Sequence, residues 1–149
     1  MSETEAGAPQ RESARGTVRV LLYSHDAGVR EQVRLAVGRR PAADVAEVEF
    51  VECATEPMVW RKLRAGEVDL MILDGEAQPV GGMGLCRQAK DEIYRCPPTL
   101  VLVGRADDSW LAAWSRAEAV ASHPIDPTDL PAKLAELIRE HSNRIVASS

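Results

Sequence analysis

The chain has 149 residues, a formal net charge of −5, and a composition that is 45% hydrophobic but only 4% aromatic. That length suits a single domain able to bury a normal core without disulfide or metal staples. The acidic balance, with no offsetting basic stripe, excludes a nucleic-acid surface of the phosphate-neutralising kind.

Residues 1–16 are rich in Glu, Ser, Ala, Gly and Arg without apolar periodicity, which predicts a disordered tail ahead of a domain over residues 17–141. Val18, Val20, Leu21, Leu22 and Tyr23 form a first strand that runs into the polar cluster Ser24, His25, Asp26. Val29, Val33, Ala36 and Val37 recur at helical spacing, with Asp26 as N-cap and Gly38 to Pro41 ending the helix. Val45 to Cys53 alternates apolar with acidic residues and reads as a second strand with one face partly wet. Thr55 caps a short helix with Pro57 in its first turn, and Gly66 closes it.

Val68, Leu70, Met71, Ile72 and Leu73 make an apolar run over Val68 to Leu73 broken only at Asp69, the pattern of a strand buried on both faces, and it stops on Asp74 and a Gly-rich loop. Met83 to Tyr94 is the next helix, stopped by Cys96-Pro97-Pro98. A fourth apolar strand, Thr99 to Val103, ends at Gly104. A helix over Asp107 to Ala117 and a short strand over Ala119 to Ser122 follow. The last helix has Asp126 as N-cap, Pro127 at its first position, and Leu130, Leu134, Leu137 and Ile138 on one face. After His141 the helix is expected to fray, leaving residues 142–149 as a flexible tail.

Strands alternating with helices through short connections imply a parallel sheet with right-handed crossovers and helices on both faces. Ligands gather beyond the carboxyl ends of such strands, so Asp74 is the acid on which a functional reading turns. Cys53, Cys86 and Cys96 form neither a CxxC nor an even disulfide set, which fits a reducing cytoplasm. The N-terminus lacks the apolar core of a signal peptide, and no stretch reaches the roughly 18 apolar residues of a membrane span. Any membrane location is therefore expected to be peripheral, held by a protein partner.

With this order of elements the chain resembles the receiver domain of two-component response regulators over Thr17 to about Glu140. The resemblance implies an α/β, flavodoxin-like fold with five strands in the order 2-1-3-4-5 and five helices. In that family an acidic pair follows the first strand, the phospho-accepting Asp ends the third, Thr or Ser ends the fourth, and Lys-Pro follows the fifth. The matching positions here are Ser24 with His25, Asp74, Gly104, and His123 with Pro124, so only the phosphoacceptor position keeps its chemistry. Asp26 stands one residue beyond the pair. Phosphoryl transfer to a carboxylate relies on Mg²⁺ and on donors placed at the phosphoryl oxygens. With the acidic pair gone, Mg²⁺ binding is expected to be weak or absent and no other cofactor is called for.

Asp74 reads either as a phosphoacceptor or as a retained structural acid. His25 and His123 read either as a metal or proton site or as polar fillers of a vacated pocket. Gly81 to Gly84 read as an anion cradle on backbone amides or as a turn. Trp110 and Trp114, one helical turn apart, read as a partner-binding face or as packing against the sheet. The family's Lys-Pro joint is cis, which implies a cis bond at His123–Pro124. SHDAGVREQVRLAVGRRP, LDGEAQPVGGMG and WLAAWSRAEAVASHPIDP together resemble actinobacterial stand-alone receiver-like proteins associated with the respiratory NADH:quinone oxidoreductase. The expectation is a non-enzymatic pseudo-receiver that binds a larger assembly without phosphate. The alternatives are a single-domain response regulator phosphorylated on Asp74 by a histidine kinase, and a small-ligand binder taking flavin or nucleotide at the strand ends.

Overall fold

The computed structural model describes residues 16–104 and 110–148. Its sheet has the strand order β2-β1-β3-β4-β5, every pairing parallel. The strands are β1 (Thr17–Tyr23), β2 (Glu47–Cys53), β3 (Leu70–Asp74), β4 (Thr99–Val103) and β5 (Ala119–Ser122). Between and after them lie α1 (Ala27–Val37), α2 (Glu56–Arg64), α3 (Gly82–Glu92), α4 (Trp110–Ser115) and α5 (Asp129–Ser148). The doubly wound architecture and strand order expected from the sequence are those observed.

Alternate side chains of a strand point to opposite faces, and the central strands are apolar on both. On one face Val20, Leu22, Ile72, Leu100 and Leu102 pack with Val33 and Val37 of α1 and Leu130, Leu134, Leu137 and Ile138 of α5. On the other, Leu21, Tyr23, Met71, Leu73, Val101 and Val103 pack with Val59 and Leu63 of α2 and Leu85, Cys86 and Ala89 of α3. Every residue of β3 and β4 is buried, so these strands form the spine between two cores. Burial pushes the Cys53 and Cys86 thiols up to about 11, leaving them as inert core groups.

Local signals explain most element ends. Asp26 caps α1 by accepting from Gly28 N at 2.8 Å. Asp126 Oδ1 accepts from Thr128 N and Asp129 N at 2.7 and 3.1 Å, and its carbonyl accepts from Leu130 N, so it caps α5 as expected. Thr55 stands at the N-cap of α2 in extended conformation, but its side chain makes no capping bond.

Several boundaries differ from the sequence reading: β2 begins at Glu47 rather than Val45, β3 spans Leu70–Asp74 rather than Val68 to Leu73, α3 spans Gly82–Glu92 rather than Met83 to Tyr94, and the last two helices differ further. The fourth helix ends at Ser115, because Arg116 turns into the left-handed region at φ 66°. Its expected start, residues 107–109, lies outside the described residues, as does the predicted N-terminal tail apart from Gly16. At the other end α5 continues to Ser148 where fraying after His141 was expected. No glycine or proline follows Pro131, so nothing in the sequence stops the helix. Among the described residues no helix is long and apolar enough to cross a membrane.

Ile72 is fully buried at the centre of β3. Ile72→Ala is expected to cost about 2 to 5 kcal/mol, read as a lower urea midpoint with an unchanged slope.

Candidate functional site

The sheet register builds the site. Tyr23 of β1 pairs with Leu73, and Asp74 with Leu102 of β4, so the residue after β1 and the end of β4 flank Asp74. Backbone bonds extend the ladder past the strand ends: Ser24 N donates to Cys53 O at 3.2 Å, Gly75 N to Leu102 O at 2.8 Å, and His123 N to Val103 O at 2.8 Å. His123 therefore sits at the rim by strand geometry rather than by loop conformation.

Asp74 is only 2% exposed and its carboxylate is satisfied from within the chain. Ser24 Oγ donates to Oδ2 at 2.8 Å. Glu76 N donates to Oδ1 at 2.9 Å, and His123 Nε2 lies 3.0 Å from the same oxygen. Ser24 Oγ in turn accepts from Asp26 N at 3.1 Å. Ser24, at one of the acidic-pair positions, and His123, at the lysine position, thus hold the buried acid themselves. A cleft of about 300 Å³ opens above it, lined by His25, Asp26, Val29, Asp74, Glu76, Gly104 and His123.

The two histidines line one cleft but serve different ends. His25 Nδ1 accepts from Gln78 N at 2.9 Å, tying the loop after β3 to the end of β1. His123 faces Asp74, and its bond to Pro124 is cis, as the resemblance implied; a second cis bond, Gln78–Pro79, was not foreseen. Asp26 points to α1 as its cap rather than to Asp74. The Gly-rich loop answers a packing demand. A Cβ on Gly82 would lie 2.7 Å from Asp74 O, and one on Gly75 2.6 Å from Leu102 O, so both positions need a residue without a side chain.

Electrostatics couple the pair. Burial alone would raise the Asp74 carboxyl, but hydrogen bonds from His123, Glu76 N and Ser24 outweigh it and hold the group below its ordinary value. His123 is raised above 6.5, first by its hydrogen bond to Asp74 and against the opposing cost of burial, then by the charges of Asp74, Glu76 and Asp26.

Trp110 and Trp114 are 66% and 47% exposed, so neither is buried against the sheet. The Arg87 guanidinium of α3 lies 5.0 Å from the Trp114 ring centroid, and Arg87 Nη1 donates to Trp114 O at 2.7 Å. The Trp114 indole is thus braced from α3. Glu76 was missed by sequence reasoning. Its signal was its place two residues after Asp74, in a loop that departs from the family's usual short segment.

A parallel sheet in this order, with a buried aspartate ending its third strand, is the receiver fold of response regulators. An uncharacterized response regulatory protein of Mycobacterium tuberculosis strain H37Rv is 52% identical over 122 residues, which cover 82% of this chain and 92% of that one. Its counterpart in strain CDC 1551 / Oshkosh matches equally. The chain belongs to the response regulator family. Among solved structures, it superposes on a CheY-like receiver domain protein from Methanospirillum hungatei with TM-score 0.67 at 20% identity, covering 86% of this chain and 98% of that one. The signal receiver domain of a LuxO repressor protein from Vibrio parahaemolyticus gives TM-score 0.72 at 15% identity, covering 89% and 98%. No protein-family model matches the chain.

The His123 imidazole is expected to titrate above 6.5 by NMR, and Asp74→Asn to bring its midpoint down. The stability that His123 contributes is complete below 6.5 and lost as pH rises through the higher folded value. That of Asp74 has the opposite sign: present above 3.8 and lost as pH falls through its depressed folded value.

Proposed function

We propose that this receiver domain is a non-enzymatic, phosphorylation-independent interaction module, an accessory or regulatory subunit of a larger protein assembly. The observation that carries this reading is the internal engagement of Asp74, whose two oxygens are bonded by Ser24 on one side and by Glu76 N and His123 on the other. A carboxylate that is to accept a phosphoryl group needs a free oxygen and Mg²⁺ beside it. The donor set does not fit that ion. Ser24 and His25 stand where carboxylates would be, Asp26 is engaged as a helix cap, and His123 takes the side of Asp74 that faces the cleft.

With the pocket inert, function moves to the outer surface, and the α4 face is the candidate. Exposed tryptophans at helical spacing, Trp114 braced by Arg87, have the make-up of a binding hot spot. The resemblance to actinobacterial receiver-like proteins points to the respiratory NADH:quinone oxidoreductase as the assembly. In that setting the protein is cytoplasmic and held at the cytoplasmic face of the membrane by its partner.

A second reading, a single-domain response regulator phosphorylated on Asp74 by a histidine kinase, draws support from the cleft over Asp74 and from the relatives' description as response regulatory proteins. Acetyl phosphate with Mg²⁺ separates the two. The intact mass is expected to stay unchanged, and a stoichiometric phosphoryl adduct lost in Asp74→Asn would establish the signalling reading instead. Gentle capture from solubilised membranes, followed by mass spectrometry, is expected to return respiratory subunits, whereas recovery of a sensor kinase alone would favour signalling. Trp110→Ala and Trp114→Ala are each expected to weaken that capture by about 2 kcal/mol or more without lowering the melting temperature.

A further inference from the structure

The space beside Gly104 is already taken. A Cβ built on Gly104 would lie 2.9 Å from Cδ and Oε2 of Glu76 and 3.1 Å from its Oε1. The Glu76 carboxyl group therefore lies across the end of β4, where the resemblance places a hydroxyl-bearing residue that would hold a phosphoryl oxygen.

Although Glu76 is exposed as a residue, its backbone is anchored on both sides. Gly75 N donates to Leu102 O, Glu76 N to Asp74 Oδ1, and Ala77 N to Asp74 O, while Ala77 itself is buried. The turn that binds Asp74 thus also aims Glu76 at Gly104. The residue at 104 and the residue at 76 are complementary: the absence of a side chain at one makes room for the carboxylate of the other. Glu76 shares the cleft with Asp74 and Asp26, and all three acids raise the His123 imidazole that lines it with them. An entering anion would meet a carboxylate at the point where it needs a donor.

We infer that Glu76 is a resident anion in the oxyanion space between Asp74, Gly104 and His123, and that it closes the cleft to phosphoryl groups. This rests on the phosphate-independent reading and gives it a positive cause, exclusion by an occupant in addition to the loss of metal ligands.

The test uses the full chain with beryllofluoride and Mg²⁺, binding followed by ¹⁹F NMR. A metal-ligating carboxylate is first supplied at an exposed site by His25→Asp, so that loss of metal does not mask the effect of Glu76. His25→Asp alone is expected to show no bound fluoride signal. His25→Asp with Glu76→Ala is expected to bind at least about tenfold more tightly, and to lose the signal when Asp74→Asn is added. Circular dichroism and melting of each variant verify the fold, and Glu76→Gln in the same background supports exclusion by charge if it also binds. Equal binding with and without Glu76 would overturn the inference, as would no binding in the Glu76→Ala variant, since Glu76 is then not what closes the cleft. Binding by the wild-type chain would overturn the phosphate-independent reading and this inference together, whereas equal binding by the two His25→Asp variants with no binding by the wild-type chain would overturn this inference alone, so the two failures are distinct.

Discussion

A buried carboxylate must be compensated, and the compensation of Asp74 organises this end of the molecule. β3 is buried along its whole length and ends on an acid that is 2% exposed. The compensating groups come from three directions: the hydroxyl of Ser24 after β1, the amide of Glu76 in the following turn, and the imidazole of His123 after β5. Ser24 and His123 are set by the parallel register of the sheet and Glu76 N by the tight turn that follows β3. Asp74 thereby joins the termini of β1, β3 and β5, which lie on both sides of the sheet's centre.

Replacing lysine by histidine at that third position changes how the charge is held. A lysine ammonium stays protonated across the physiological range, whereas an imidazole must be kept charged by its surroundings. Here Asp74, Glu76 and Asp26 all act on His123 in that direction. The acids that raise His123 are the same ones that line the cleft above Asp74, so one charge arrangement acts on both the imidazole and the cleft.

The fold was legible because its signals are local and repeated. Continuous apolar runs marked β3 and β4, alternation marked the half-wet β2, and Asp26 and Asp126 marked helix starts that their capping bonds realise. The site was legible in part. Ser24, Asp74 and His123 were named together from the resemblance, and the structure brings them within hydrogen-bond distance. His25 and Asp26 line the same cleft but turn to Gln78 N and Gly28 N, since the nearest unpaired amide decides where an exposed polar side chain goes. Glu76 was not legible, because its position depends on the empty space at Gly104, twenty-eight residues away along the chain. The end of α5 was misjudged because a stretch without apolar periodicity reads as fraying when only burial is considered, although it holds no Gly or Pro to stop the helix.

That extension of α5 has a practical consequence. The helix has 20 residues, about 30 Å of rise, whereas β5, which precedes it, has four. Its His141 lies 3.9 Å from Asp69, just ahead of β3, so the helix reaches the amino-terminal edge of the sheet. Whatever is fused to this end inherits a helical phase of about 100° per residue. One added or deleted linker residue would swing a fluorophore or tethered domain around the barrel of the helix, and three or four would bring it back, so this terminus offers a handle whose direction can be dialled by length.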